Sequence, residues 1–354
     1  MKRSLSPRSA RLGPLTRCTI AVTSLLVASA ARAGDEDEKD KIIIKVATVA
    51  PEGTPWSELM DGVKNRIKKD SGDKVKMKLY FGGRLGGEKE TAREAREGRV
   101  QMWGGSTAAM ATIVPELYAL EAPFLFDSSE EADFVLDNYV RAPAEKLLAQ
   151  RGFVFFQWAE NGWHGIALKG ECLTNVASLK GKKIRSQEAT IHLDTLKALG
   201  ANPVEMAVPE VLPALTQGVV DGFSNTPLFT FAVSWYQGIN SYTVTDHVYQ
   251  PAIIAYSKKW FDKQPADVQK ILLSNAREDE KKGRAGVRTL RDPLLENFKK
   301  AKITVCTVTP ELRAELKQAT APIFEQYRKK AGKGGKPIYD AVLEGKKAWA
   351  AQKK

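Results

Sequence analysis

Residues 42–103 read IIIKVATVAPEGTPWSELMDGVKNRIKKDSGDKVKMKLYFGGRLGGEKETAREAREGRVQMW, and their periodicities decide the fold class. Ile42-Ile43-Ile44-Lys45-Val46-Ala47 is β-branched and nearly continuous in apolar character, the pattern of a buried strand. Pro51, Gly53 and Pro55 make a loop, after which Trp56, Leu59, Met60, Val63 and Ile67 recur at helical spacing through Lys69. Val75 to Phe81 alternates as a second strand. The glycines of Gly82-Gly83-Arg84-Leu85-Gly86-Gly87 then break the chain before a charged helix from Glu88 to Gly98, and Val100 to Trp103 gives a third strand. Strand, helix, strand, helix, strand predicts an α/β lobe around a largely parallel sheet, with ligands collecting at the carboxyl ends of its strands.

The same alternation resumes downstream. Phe153 to Trp158, Gly165 to Leu168 and Lys183 to Arg185 read as strands, and Ile191 to Leu199 as a helix closed by Gly200. Pro209 to Thr216 reads as a helix stopped by Gly218, with Val219-Val220-Asp221 as the next strand. Ala266 to Ala301 is a long charged helical stretch, and Asp292-Pro293 marks a kink because Leu294, Leu295 and Phe298 continue the spacing. Ile303 to Val308 and Pro310 to Ala331 read as a last strand and helix. The chain beyond its leader exceeds the roughly 250–300 residues at which single cores stop growing, so two lobes are expected.

The start of the chain predicts export. Lys2, Arg3, Arg8, Arg11 and Arg17 precede an apolar run from Thr19 to Ala30, and Ala31-Arg32-Ala33 has the small-x-small form of a cleavage site. The alternative, a membrane anchor, needs roughly 20 apolar residues and finds about a dozen. The reading is a signal peptide over 1–33, a flexible leader over 34–41, and a periplasmic protein without stable membrane insertion. Cleavage takes away six basic residues and no acid, lowering the net charge from +12 to about +6. The remaining excess is spread out, without a nucleic-acid motif, and reads as a solvated surface. Beyond Cys18, two cysteines remain, Cys172 and Cys306. One disulfide and two separate buried thiols both fit an oxidising compartment, and spacing does not decide between them. No Cys/His cluster suggests zinc, and no cofactor is implied.

Several blocks in order resemble one family. Gly181-Lys182-Lys183-Ile184-Arg185, Ala198-Leu199-Gly200-Ala201-Asn202-Pro203-Val204 and Glu210 to Gly222 are similar to the DctP-type solute-binding proteins of TRAP transporters. Arg84-Leu85-Gly86-Gly87 and Glu121-Ala122-Pro123-Phe124-Leu125-Phe126 fit the same family, so the likeness runs from about Ile42 to the C-terminal helix. The resemblance implies a two-lobed periplasmic-binding-protein fold with a central cleft and a long kinked helix spanning both lobes. Lobe I would comprise 42–161 plus 251–291, and lobe II 162–250 plus 292–354. Ligand would close the lobes by a hinge motion, and the closed form would dock onto TRAP membrane permease subunits.

In that family the arginine of the block containing Arg185 grips the ligand carboxylate. A guanidinium fork suits this role, because it meets a carboxylate with two parallel charge-assisted hydrogen bonds. The structural alternative is a salt bridge to Glu188. Asn225 falls where the family has a ligand-contacting asparagine, its alternative being a turn former. The departures concern specificity. His164 stands where many relatives carry a second cleft arginine, offering a conditional charge near pH 6.5. Gly105 lies where an acidic or polar residue is often found, Glu188 adds a carboxylate, and Val208 replaces an aromatic. Trp103, Trp163, Phe223 and Phe229 surround these positions, each also readable as core. Together they favour a monocarboxylate with a hydrophobic or aromatic body over a small dicarboxylate or sialic acid.

Competing readings are weaker. An exported hydrolase lacks a GxSxG elbow, an HExxH helix and a phosphate-binding loop. A TRAP-like protein for a lipid-like ligand, working with a helical-repeat partner, fits the thinned polar pocket but not the retained Arg185. A sensor presenting its ligand to a receptor would share the fold.

Overall fold

A computed structural model of the protein describes residues 41–352; the expected signal peptide and all but the last residue of the leader lie outside that range. The described strands, in chain order, are β1 (Ile42–Ala47), β2 (Val75–Tyr80), β3 (Met102–Ser106), β4 (Phe153–Trp163), β5 (Gly165–Leu168), β6 (Lys183–Ser186), β7 (Asn202–Glu205), β8 (Gly222–Asn225), β9 (Ser241–Val244), β10 (Tyr249–Ser257) and β11 (Thr304–Thr307). They form two sheets, one per lobe, of order β2-β1-β3-β10-β4 and β11-β9-β5-β8-β6-β7.

Both sheets mix parallel and antiparallel pairs, and the first is not the largely parallel sheet expected, because β10 enters it antiparallel. β1 and β3 run parallel with Val46 opposite Met102, as do β6 and β8 with Arg185 opposite Phe223. Each sheet also holds a strand that runs against both of its neighbours. β10 is antiparallel to both β3 and β4, and β5 to both β8 and β9. β10 is buried along its whole length, and its Pro251 sits at a register shift against β4, where a strand tolerates a missing N–H. The strand expected at Val219 to Asp221 lies later, at Gly222–Asn225.

The first helix, α1 (Pro55–Asp70), forms as its sequence dictates. Pro55 occupies the first turn, Ser57 Oγ accepts the Thr54 N–H at 3.1 Å, and Lys68 and Lys69 face the carboxyl end. Its buried face is Trp56, Met60, Val63 and Ile67. The helix after the second strand is α2 (Glu88–Arg96), and the one after β6 is α3 (Thr190–Ala198).

The long helical stretch resolves into three pieces. Ala266–Leu272 ends before Asn275, a left-handed residue at φ 57°. α4 (Ala276–Thr289) and α5 (Arg291–Lys300) then meet at a bend at Leu290. Pro293 lies in the first turn of α5, where its missing N–H would have had no intrahelical partner. α4 packs on β4 and α1, whereas α5 packs on β11 and the 227–232 helix, so the pair spans both lobes. Arg288, just before the bend, grips both oxygens of Asp133 at 2.7 Å and reaches Glu160 at 2.8 Å. Arg291, just after it, pairs with Asp246 at 2.6 Å.

The C-terminal helix α6 (Pro322–Gln352) bends at Gly332, whose φ is 57°. Ile323, Tyr327, Ile338, Tyr339 and Val342 enter the first lobe's core. The chain end therefore packs with lobe I, where the sequence reading put 292–354 wholly in lobe II. The apolar face of α6 carries it into that core. Cys172 and Cys306 form a disulfide, tying the segment after β5 to the edge strand β11.

Candidate functional site: a cleft between the strand ends of two lobes

The carboxyl ends of β1 and β3 face those of β6 and β8 across the interlobe cleft, the position that sheet topology assigns to ligands. Two adjoining cavities lie there. One, of about 20 Å³, is lined by Glu88, Ser106, Arg185, Gln187, Glu188 and Val208. The other, of about 30 Å³, is lined by Val49, Trp56, Leu228 and Phe229, and again by Glu88. One end of the cleft is thus charged and polar and the other apolar, with Glu88 between them. Each holds little more than a water molecule or two, so an organic acid enters only if the lobes part. A wider opening of about 280 Å³, lined by Asn161, Trp163, Thr226, Leu228 and Arg291, continues this cleft towards the bend. A larger groove of about 420 Å³ lies between α1 and α4, away from the strand ends, and its charged groups are largely paired along the two helices.

Arg185 is 2% exposed. Its Nε and Nη2 both donate to the Met206 carbonyl, at 3.0 and 2.8 Å, and its guanidinium lies over Trp235 at 4.9 Å. Those contacts fix one edge of the fork. No described carboxylate stands at ion-pair distance, so the salt bridge to Glu188 weighed from sequence does not form. Burial pulls its pKa down to about 10, while Glu88, Glu188 and Glu210 pull it back up. It remains a cation at neutral pH.

Glu88 opens α2 and reaches into the cleft. Its carboxylate accepts from the Ser106 N–H and from Ser106 Oγ, both at 2.9 Å. Burial pushes its pKa up, against the Ser106 hydrogen bonds and the Arg185 charge. Gly105 makes room for it, since a Cβ there would lie 2.7 Å from Glu88 Oε1 and 2.5 Å from the Trp103 ring. The acid expected near Gly105 is thus delivered from a different element. Sequence reasoning missed Glu88 because a glutamate opening a charged helix reads as solvated.

Beneath Arg185 runs a buried polar network. Glu121, fully buried, takes Thr107 Oγ1 and the Ala108 N–H on Oε1. Its Oε2 takes His192 Nε2 at 2.6 Å, Gln250 Nε2 at 2.7 Å and Gln187 Nε2 at 3.4 Å. His164 stacks on His192 with ring centres 5.4 Å apart, and Ser224 Oγ joins His164 Nδ1 to His247 Nε2. All three histidines of the chain meet here. Burial, then His192 and His247, hold the His164 pKa well below 6.5, so it stays neutral and does not supply the conditional charge expected of it.

The other predicted residues divide between cleft and core. Val208 lines the polar cavity, Phe229 the apolar one and Trp163 the opening near the bend. Trp103 and Phe223 are fully buried in their own lobes. Trp103 donates to the Glu88 carbonyl at 3.2 Å and so seats α2. Asn225 ends β8 beside the cleft, where its Oδ1 accepts the Thr226 N–H at 2.7 Å.

Two α/β lobes, a kinked helix spanning them and a buried cation in the cleft between define a two-lobed solute-binding protein. The chain belongs to the bacterial extracellular solute-binding proteins of family 7, the DctP-type binding proteins of TRAP transporters, whose family profile matches residues 46–330. A solute-binding protein of Verminephrobacter eiseniae is 29% identical over 285 residues, covering 77% of this chain and 81% of its own. The sugar acid binding protein DctPAm of Advenella mimigardefordensis, solved with galactonate, superposes with a TM-score of 0.81 at 26% identity, over 86% of this chain and 99% of its own. A TRAP periplasmic solute-binding protein of Citrobacter koseri with bound D-glucuronate gives 0.79 at 28% identity, over 85% and 98%. The family is periplasmic, binds small organic acids and works with membrane permease components.

Proposed function

We propose that this protein captures a hydroxylated monocarboxylic acid of the sugar-acid class and delivers it unchanged to a TRAP permease, after export through a cleaved N-terminal leader. The observation that carries the reading is Arg185, a buried guanidinium with one edge on Met206 and no carboxylate partner among the described residues. A ligand carboxylate would supply the two charge-assisted hydrogen bonds that this fork is built to make. Glu88 and Glu188 flank it in the same cavity, where they would accept ligand hydroxyls and repel a second ligand carboxylate. That arrangement favours a monocarboxylate over a dicarboxylate. Val49, Trp56, Leu228 and Phe229 offer an apolar wall for the C–H face of the ligand, in place of the Trp103 and Phe223 surface expected from sequence. Galactonate and D-glucuronate, held by the two solved relatives, have these features.

A thermal-shift panel on ligand-stripped protein tests the reading with D-galactonate, D-glucuronate, succinate and 3-phenylpropanoate. A ligand at about 100 times its Kd stabilises a one-site binder by roughly 2.7 kcal/mol, a shift of a few degrees in a chain of this size. The two sugar acids are expected to raise the midpoint. A shift given by succinate alone, or by 3-phenylpropanoate alone, would overturn the assignment of class.

A further inference from the structure

We infer that Glu121, His192 and Gln187 form an interlobe latch that closes only when the cleft shuts, and that this latch sets how long a bound acid is held. Glu121 is split between two bodies. Its Oε1 is anchored within lobe I, by Thr107 Oγ1 and the Ala108 N–H from the segment after β3. Its Oε2 faces the other lobe and the crossing strand. There it takes His192 Nε2 from α3 at 2.6 Å, Gln187 Nε2 from the end of β6 at 3.4 Å, and Gln250 Nε2 from β10 at 2.7 Å.

The two oxygens therefore answer to different movements. Parting the lobes leaves the Oε1 contacts intact and strips Oε2 of the two donors that lobe II supplies. A carboxylate that is fully buried when the lobes meet would then be partly rehydrated, so the cost of opening falls on one side of one side chain. The geometry also joins the latch to the ligand. Gln187 lines the cavity of Arg185, two residues from it, and its Oε1 accepts Gln250 Nε2 at 3.1 Å. Gln250 Oε1 in turn accepts Asn161 Nδ2 at 2.9 Å, on the other crossing strand. A ligand that draws Arg185 and Gln187 towards lobe I brings the latch into register, and a formed latch holds Gln187 against the ligand.

The latch acts through closure, so Glu121 and His192 are positioning residues, and its effect on affinity rests on the proposed acid site. The test compares wild type with His192→Phe, His192→Gln and Glu121→Gln. Small-angle scattering gives the radius of gyration with and without D-galactonate, and stopped-flow tryptophan fluorescence gives its association and dissociation rates. His192→Phe and Glu121→Gln are expected to enlarge the radius in the presence of ligand and to raise koff about tenfold with little change in kon. His192→Gln restores an N–H donor towards Oε2 and should recover most of the wild-type behaviour. Equal radii and equal koff in wild type and His192→Phe would overturn the latch, as would a His192→Gln variant as impaired as His192→Phe, which would make the ring's packing the active feature. If His192→Phe does not fold, Glu121→Gln against wild type decides alone. If wild type takes up neither D-galactonate nor D-glucuronate, the acid-site reading fails separately. The latch is then decided by the same radii and rates with whichever acid wild type does bind, larger and faster in the variants if it exists and equal if it does not.

Discussion

Arg185 and Glu88 hold opposite charges in one cavity without forming a pair, and each is held by its own lobe. Arg185 is braced by Met206 and Trp235, Glu88 by Ser106. A pair at contact distance would neutralise itself, whereas this separation leaves an acceptor and a donor fork, as the proposed ligand's hydroxyl and carboxylate would require. Gly105 keeps the arrangement open. In Gly105→Ala the new Cβ would collide with Glu88 Oε1 and with Trp103, and neither can yield easily because Trp103 is fully buried. We expect that variant to lose about 1–3 kcal/mol of stability by overpacking and to bind sugar acids more weakly, read by urea unfolding and calorimetry. An alanine variant with unchanged midpoint and affinity would show that Glu88 is not held by this contact.

At the scale of elements, much of the fold was legible. β1, α1, β2, α2 and β3 follow from local periodicity because each buries one face or a short apolar run. β10 was not legible, since a strand covered on both faces does not alternate and Pro251 argues against a strand until the register shift is seen. The histidine cluster was hidden for another reason. His164, His192 and His247 lie far apart in sequence, and only the packing of α3 and the crossing segments against Glu121 unites them. The disulfide was an open alternative that chain spacing could not close. It spans 134 residues of sequence and fastens the edge strand β11. Replacing both Cys172 and Cys306 by alanine should cost about 2–5 kcal/mol, seen as a lower urea midpoint, because the unfolded chain regains the entropy of that loop. An unchanged midpoint would place the cross-link outside the cooperative unit.

For the whole molecule, burial of the histidine cluster makes stability depend on pH with a definite sign. Burial and the neighbouring His192 depress the His247 pKa from 6.5 to about 3, and the His164 pKa moves in the same direction. A base with a depressed folded pKa binds fewer protons folded than unfolded, so its contribution is present above pH 6.5 and lost as pH falls towards the folded pKa. Between pH 7 and pH 5 the loss for His247 alone is about 2 kcal/mol. Glu88 and Glu160, raised by burial, act in the opposite direction and offset part of it. Chemical unfolding across this range should show wild type weakening more steeply than His247→Gln, which keeps hydrogen-bonding capacity towards Ser224 and Thr245. Equal slopes would mean that His247 gains its proton without cost.

The proposed capture of an acid turns on one guanidinium in the cleft, Arg185. Calorimetric titration of D-galactonate and D-glucuronate into wild type, Arg185→Lys and Arg185→Ala tests it most directly. Wild type is expected to bind at least one of the two saturably and one-to-one. Arg185→Lys should weaken it by about tenfold or more, through loss of the planar fork, and Arg185→Ala should abolish it while the protein stays folded. Undiminished affinity in Arg185→Ala would rule out the guanidinium as the acid's anchor and return Arg185 to a structural role beneath Met206.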